Sequence, residues 1–172
     1  MRRPISVRVV SPMEWVVYPA LAAVVLTIAL ATPLRVFGIS LPEPVFPLVL
    51  AFAWPMIRPS FLGPVVLFAL GLFLDLFWGG MLGLWPLCLM AVYGGILAVR
   101  TFMAGQSTFV NFLLYLGSLL LAFFIAYLVT ALRIGNAPSF FALLGQVLPT
   151  LLLFPAADWL MQKFDDNDVR FM

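Results

Sequence analysis

The sequence contains no histidine, one cysteine and one lysine. Without histidine there is no Ser-His catalytic pair and no zinc site of the usual His/Cys kind. The single cysteine, Cys88, excludes a disulfide within the chain, and its place in an apolar run predicts a small buried residue. The only lysine, Lys163, is not part of a phosphate-binding P-loop motif. We therefore expect no enzymatic activity, no catalytic or metal-binding residues and no cofactor.

Charged residues are scarce as well. They make up 9% of the 172 residues, whereas 65% are hydrophobic, and the mean hydropathy is +1.15. A soluble domain carries about a quarter charged residues to cover its surface. Lipid must therefore be part of the solvent around this chain. The net charge of +2 is too small to indicate binding to nucleic acid.

Charged residues and Gly/Pro clusters divide the chain into six apolar segments, at about 15–32, 45–57, 61–78, 82–99, 108–132 and 139–161. The pattern predicts an all-α integral membrane protein, a six-transmembrane-helix bundle that forms one membrane-embedded domain over residues 1–172. Residues 162–172 are expected to form a polar cytoplasmic tail. Spanning takes about 17–25 helical residues, so the second segment is too short to cross unless the bilayer thins around it. The alternative is a re-entrant segment.

The distribution of basic residues favours six crossings. With a cytoplasmic N-terminus, seven of the nine basic residues lie on the cytoplasmic side, and only Arg35 and Arg133 lie outside. If the second segment were re-entrant, the excess of basic residues on the cytoplasmic side would be smaller. Because cytoplasmic loops are enriched in Lys and Arg, we expect both termini in the cytoplasm.

The N-terminal segment also has features of a signal peptide. Arg2 and Arg3 precede an apolar stretch, and Ala29-Leu30-Ala31 resembles a cleavage site with small residues at its first and third positions. The uncharged run from Trp15 to Arg35 is longer than the roughly 7–15 residues of a typical signal-peptide core. Cleavage would also leave five spans, so we expect the first helix to be retained.

Asp75 is the one charged residue clearly within an apolar segment. It lies about 21 Å from Phe61 along a helix, in the outer part of the third segment, where a charge is costly. One interpretation is an ion or proton relay. The other is a carboxylate that holds a helix corner, paired with Arg35, Arg133 or free backbone N–H groups. The second is favoured because no further ionisable group lies at that depth.

Asp158 lies near the inner end of the sixth segment. A carboxylate in the last turn of a helix opposes the helix dipole, so we expect it either to pair with Arg58 or Arg100 or to extend to the headgroup boundary. Asp75 and Asp158 lie near opposite membrane faces in this arrangement. A two-aspartate intramembrane protease is therefore excluded.

Four glycines, Gly71, Gly79, Gly80 and Gly83, surround Asp75. Gly79 and Gly83 have the GxxxG spacing that permits close contact between helices in a membrane. Because both lie between the third and fourth segments, we expect them to form a tight turn instead. As a signal for dimerisation the spacing is weak.

Three stretches together resemble the bacterial rod shape-determining protein MreD family. They are FAWPMIRP at 52–59, GLFLDLFWGGMLGL at 71–84 and PAADWL at 155–160. The family shows an aromatic-rich second span ending in Arg-Pro, a G-L-x-x-D-x-x-x-G-x-x-L-G-like segment and a closing Pro-x-x-Asp-Trp-Leu pattern. The resemblance makes the following residues candidates for structural or partner-interaction roles: Arg58, Pro59, Gly71, Asp75, Gly79, Gly80, Gly83 and Asp158.

The resemblance implies a non-enzymatic scaffold subunit of the cell-elongation complex, which determines rod shape through peptidoglycan synthesis in the bacterial inner membrane. Its implied partners are the membrane span of MreC, RodA with its class B penicillin-binding protein, the MreB filament and membrane lipids. The formation of a homo-oligomer is a further possibility. The family is also similar in fold to substrate-binding subunits of energy-coupling-factor transporters. The alternative function is therefore a small-molecule-binding membrane subunit of a transporter.

Overall fold

The computed structural model describes residues 8–11, 13–31, 35–36, 39–40, 43–102, 107–134, 140–164 and 169–171. The helices in this part of the chain are α1 (Tyr18–Ala29), α2 (Phe46–Ile57), α3 (Leu62–Phe77), α4 (Leu84–Val99), α5 (Thr108–Ile134), α6 (Phe140–Leu151) and α7 (Phe154–Phe164). A π-helical turn, Met13–Val17, leads into α1, and a 3₁₀ turn, Arg100–Phe102, follows α4. The predicted all-α helical bundle is confirmed.

Four short strands are present in the part of the chain that the structure describes. They are β1 (Arg8–Val10), β2 (Arg35–Val36), β3 (Ile39–Ser40) and β4 (Val169–Phe171). β2 and β3 form an antiparallel pair between α1 and α2. β1 pairs in parallel with β4, with Arg8 opposite Val169. The two terminal segments therefore lie at the same end of the bundle.

The central helix of the bundle is α2. Every residue from Val45 to Pro55 is buried, and α2 packs against α1, α3, α4, α5 and α7. The segment is apolar on all sides, which is the pattern of a helix enclosed by others. Pro47 lies in the first turn, where its missing N–H costs nothing.

The ends of α2 show that it crosses the whole bundle. Just before α2, the Glu43 carboxylate accepts a hydrogen bond of 2.7 Å from Trp78 Nε1 at the end of α3. At its other end, the Pro55 carbonyl accepts one of 2.7 Å from Arg100 Nη1, just after α4. α3 and α4 are joined by a short turn and pack antiparallel, so their final residues lie at opposite ends of the bundle. α2 therefore runs from one end to the other.

The sixth apolar segment is not one helix, as predicted over 139–161, but two. α6 ends at Leu151 and α7 begins at Phe154. Pro149 and Pro155 lie on either side of the break, and each removes a backbone N–H that a continuous helix would use. The predicted tail at 162–172 also begins too early, because α7 continues to the buried residue Phe164.

One stretch among the described helices, Thr108–Arg133 in α5, is long and apolar enough to cross a membrane by length and composition. The helices α2, α3 and α4 are shorter than this stretch. α2 has 12 residues, and α3 and α4 have 16 each. α4 lies between α3 and α5, and all three share the buried core with α2.

Candidate functional site

Asp75 is buried at the last turn of α3, with 1% of its surface exposed. Its Oδ2 accepts a hydrogen bond of 2.6 Å from the backbone N–H of Gly83, and its Oδ1 accepts one of 3.1 Å from the N–H of Trp85. Gly83 is the residue before the first turn of α4, and Trp85 lies in that turn. The first N–H groups of a helix have no partner within the helix. The Asp75 carboxylate supplies two of them with an acceptor.

Of the partners predicted for Asp75, backbone N–H groups are the ones that the structure places beside it. These groups carry the partial positive charge of a helix N-terminus, which stabilises a buried carboxylate. Arg133, the cationic alternative, is exposed at the end of α5. The side chain of Arg35, the other alternative, lies outside the described residues.

Gly79 and Gly83 both adopt positive φ angles, +64° and +94°. At the end of α3, the N–H of Gly80 donates to the Asp75 carbonyl at 2.9 Å, and that of Gly79 donates to the Leu76 carbonyl at 3.4 Å. This pair of bonds around a left-handed residue is the Schellman motif that ends many helices. The GxxxG spacing here forms the turn between α3 and α4, as expected from its position.

Gly71 of α3 lies directly against the first turn of α4. A Cβ atom at this position would lie 2.4 Å from Pro86 N and 2.6 Å from Pro86 Cα. Both are backbone atoms that cannot move aside without shifting α4. We call the assembly of Gly71, Asp75, the 78–83 turn and the start of α4 the α3–α4 corner.

Aromatic rings cover the α3–α4 corner. The rings of Trp78 and Trp85 lie 5.3 Å apart in an edge-to-face arrangement, and Trp85 lies 6.1 Å from Phe123 of α5. Trp78 also donates to Glu43, which connects the corner to the entry of α2. Glu43 is not among the residues predicted from the sequence. The sign of its role in the sequence is its position between Pro42 and Pro44, directly before an apolar segment.

Arg58 and Pro59 precede α3, whereas Asp75 lies in its last turn, about 20 Å along the helix from its first residue, Leu62. Arg58 follows the last turn of α2 in an extended conformation and is half-buried, and Pro59 is exposed. Next to them, the Tyr93 hydroxyl donates to the Ser60 carbonyl at 3.2 Å and accepts from the Ser60 N–H at 3.4 Å. The candidate residues therefore do not form one site.

Asp158 was predicted to lie in the last turn of a helix, but it lies in the second turn of α7. Its Oδ2 accepts a hydrogen bond of 2.6 Å from Gln162 Nε2, one turn further along. Arg100, one of its predicted partners, donates to the Pro55 carbonyl instead. The Asp158 carboxylate does not oppose the negative end of the helix dipole, because α7 continues for six residues beyond it.

A groove between α1 and α7, with α2 as its floor, has a volume of about 600 Å³. We call it the α1–α2–α7 groove. Its walls are mostly apolar, with Ala22 and Leu26 on α1, Leu50 on α2 and Ala156 on α7. The groove was not predictable from the sequence, because the positions of three separate helices define it. Within the described residues, no group of three or more His, Cys, Asp or Glu side chains is placed to hold a metal ion.

No known protein family, no curated protein and no solved structure matches this chain.

Proposed function

We propose that this chain is a multi-pass protein of the bacterial inner membrane and a non-enzymatic scaffold of the cell-elongation complex, which binds the membrane span of MreC. The observation that carries the membrane location is the exposed surface of α3 and α5. Its large side chains are aliphatic or aromatic: Leu62, Val65, Phe68 and Leu76 on α3, and Phe109, Leu113, Leu120, Phe124, Leu128 and Leu132 on α5. Continuous apolar surfaces of this length suit hydrocarbon and not water.

The long helix α5 adds to this argument. Only 33% of its apolar stretch is buried, whereas a core helix of a soluble protein is mostly buried. α3 and α4 are about 24 Å long, which is shorter than the roughly 30 Å hydrocarbon core. Local thinning of the bilayer absorbs a mismatch of this sign. The length of α2 is not set by lipid, because other helices enclose it.

Six crossings agree with the positions of the charged residues in the bundle. Arg58 and Arg100 lie at the end of the bundle where Trp54 Nε1 of α2 donates to the carbonyl of Trp15, five residues after β1. β1 pairs with β4, which follows Lys163 at the end of α7. Glu43 and Asp75 lie at the opposite end. Because cytoplasmic ends of membrane proteins are enriched in Lys and Arg, the end with the termini is the cytoplasmic one.

The scaffold role is supported by how the α3–α4 corner uses its polar groups. Both carboxylate oxygens of Asp75 bind backbone N–H groups within the chain, and Gly71 holds α3 directly against α4. These contacts fix the position of α3 relative to α4, so the outer faces of the two helices form a surface of constant shape. In lipid, helices associate through close packing, so a rigid surface is what a partner's single span requires.

The identity of the partner rests on the resemblance to the MreD family. The residues of its second motif are those of the α3–α4 corner, and Gly71, Asp75, Gly79 and Gly83 each have a defined part in that corner. In this proposal, the motif serves the packing of α3 against α4. RodA, its penicillin-binding partner and MreB are proposed as further members of the same complex.

Affinity purification from native membranes tests the proposal. We expect MreC and RodA to co-elute with the tagged chain, and depletion in a rod-shaped host to give rounded, widened cells. A six-span membrane protein of unrelated function with the same tag is the control. Normal rod shape after depletion, together with elution free of elongation proteins, would contradict the scaffold function.

A second candidate function is a small-molecule-binding subunit of a transporter. The α1–α2–α7 groove favours it, since apolar clefts of about 300–1,000 Å³ are typical of ligand sites. Co-elution of an ATPase module, with loss of uptake of a small molecule on depletion, would support this candidate and not the first.

A further inference from the structure

The break between α6 and α7 lies close to the middle of the proposed membrane. α6 has 12 residues and α7 has 11, so each is about 16–18 Å long at 1.5 Å per residue. Each therefore crosses about half of a hydrocarbon core of about 30 Å. Thr150, just before the break, accepts a hydrogen bond from the Val45 N–H at the start of α2. From there α2 extends about 18 Å to its end at Ile57, which places the break at the same depth.

Two backbone carbonyl groups at the break lack the donor that a continuous helix would supply. The donor for the Leu151 carbonyl would be the N–H of residue 155, which is a proline and has none. The donor for the Leu152 carbonyl would be the N–H of Ala156, which bonds to the Leu153 carbonyl instead, at 2.9 Å. Both groups therefore need a donor from outside α6 and α7.

The side-chain hydroxyl groups beside the break donate elsewhere. Thr150 Oγ1 donates to the Gln146 carbonyl at 2.7 Å, and the Tyr115 hydroxyl donates to the Thr150 carbonyl at 2.8 Å. Because a hydroxyl has one proton to donate, neither group can also serve Leu151 or Leu152. Lipid tails carry no donor, and a polar backbone group without a partner is costly in hydrocarbon.

The break is at the surface of the bundle. Leu148 before it and Leu152 within it are 61% and 78% exposed, and Trp159 further along α7 is 59% exposed. Ala156, which is also exposed, lies between Leu152 and Trp159. These four residues follow one another at intervals of three or four positions, and we call the surface that they form the α6–α7 face. The small side chain of Ala156 permits another backbone to approach closely.

A second copy of the chain is poorly suited to supply the missing donor. Among the described residues of α1, α3, α4 and α5, the exposed side chains that carry a donor lie at a helix end: Tyr18, Thr108 and Arg133. The other exposed residues of these helices are glycine, alanine and larger apolar residues. A donor at the depth of the break therefore comes from a different protein.

We infer that the α6–α7 face binds a membrane-spanning helix of another protein, which carries a hydroxyl or amide side chain near its middle and donates it to the Leu151 or Leu152 carbonyl. Close packing and hydrogen bonds hold helices together in lipid, and the face offers both. The inference rests on the proposed membrane location and names the surface that a partner of the scaffold uses. It does not require that the partner is MreC.

Two synthetic spanning peptides test this surface. Both are leucine-rich helices of about 20 residues, one with serine at its centre and the other with leucine there. Energy transfer from a fluorophore on the full chain to one on the peptide, in lipid vesicles, measures binding. We expect the serine peptide to bind about fivefold more tightly. Equal affinities would overturn the inference, because lipid alone would then suffice to cover the break.

Pro155→Ala provides a sharper comparison. The alanine restores the N–H that serves the Leu151 carbonyl and permits a continuous helix, in which the Ala156 N–H serves Leu152. The preference for the serine peptide should then fall below about twofold. Pro64→Ala is the matched control, because Pro64 lies in the first turn of α3, where an N–H has no acceptor within the helix. A preference that persists in Pro155→Ala would contradict recognition through the carbonyl groups.

Ala156→Phe tests the position of the site. Its ring would hold a docked helix away from the break, so both peptides should bind about fivefold more weakly. Ala98→Phe, at an exposed position of α4, should leave both affinities within about twofold. Circular dichroism and thermal unfolding verify that each variant is folded. Unchanged affinities in folded Ala156→Phe would exclude the α6–α7 face.

Competition distinguishes the occupants. Unlabelled serine peptide should displace the labelled one, whereas an excess of unlabelled chain should not. Displacement by the chain itself would make a second copy the occupant and overturn the inference. The proposed function fails separately, if the serine peptide binds as expected but MreC does not co-purify with the chain.

Discussion

Oδ2 of Asp75 and the backbone nitrogen of Gly83 lie 2.6 Å apart, although eight residues separate them in the chain. Together with the bond from Trp85 N–H to Oδ1, this contact makes one carboxylate belong both to the end of α3 and to the beginning of α4. A buried charge usually requires a cation or a set of donors. Here the donors are the unpaired N–H groups of a helix start.

Replacing Asp75 tests whether its role is structural. Asp75→Asn keeps one acceptor oxygen but turns an amide NH₂ toward the second N–H, so we expect a loss of about 1 kcal/mol. Asp75→Leu leaves both N–H groups without an acceptor and should cost about 2–4 kcal/mol. The measurement is thermal unfolding of both variants in detergent, together with MreC co-purification.

Asp158→Leu is the control for Asp75→Leu, because the partner of Asp158 is the exposed side chain of Gln162. Its stability should change by at most about 0.5 kcal/mol. If Asp75 were instead part of an ion or proton relay, Asp75→Asn should impair function as much as Asp75→Leu, since neither side chain can ionise. An Asp75→Asn variant that folds and binds MreC normally, yet does not support rod shape, would contradict the structural role.

Gly71→Ala should destabilise the α3–α4 corner. The added methyl carbon would lie 2.4 Å from Pro86 N, so α4 must move, and overpacking of this kind costs about 1–3 kcal/mol. Gly94→Ala is the matched control. Gly94 is a glycine of α4 with open space at its Cβ position, where alanine should be neutral or stabilise the helix by up to about 1 kcal/mol. Equal melting temperatures for the two variants would contradict the close contact.

Thr150 connects α6 with the start of α2. Its Oγ1 donates to the Gln146 carbonyl at 2.7 Å and accepts from the Val45 N–H at 3.1 Å. Thr150→Val keeps the shape but leaves a buried N–H without an acceptor, so we expect a loss of about 1–3 kcal/mol. Thr150→Ser should retain most of the stability, and Thr130→Val on α5, at a side chain that is only half-buried, should have little effect. Thermal unfolding of the three variants gives the comparison.

The sequence was sufficient to predict the helical bundle and the turn between α3 and α4. Composition requires apolar helices, and Gly79 and Gly83 have the backbone freedom that the turn uses. The partner of Asp75 could not be selected from the sequence. Arg35, Arg133 and backbone N–H groups were all within reach along the chain, and only the packing of α4 beside α3 distinguishes them.

Other features depend on the register of segments distant in sequence. Nothing near Glu43 indicates that it meets Trp78, 35 residues away. The break between α6 and α7 had a local signal in Pro149 and Pro155, but proline kinks a helix at some positions and ends it at others. The α1–α2–α7 groove depends on that break and on the burial of α2, so it was not predictable from any one segment.

The crossing of the bundle by α2 makes a prediction about sidedness. Gly80, in the turn after α3, and Ser107, just before α5, are both exposed and lie at opposite ends of the bundle. In a Cys88→Ala background, Gly80→Cys should react with a membrane-impermeant maleimide in intact spheroplasts. Ser107→Cys should react only after permeabilisation, because six crossings with a cytoplasmic N-terminus place it inside. Gel-shift detection of the labelled chain measures both. If the second segment instead returned to the side from which it entered, every later loop would change sides. The reactive and the protected cysteine would then be exchanged.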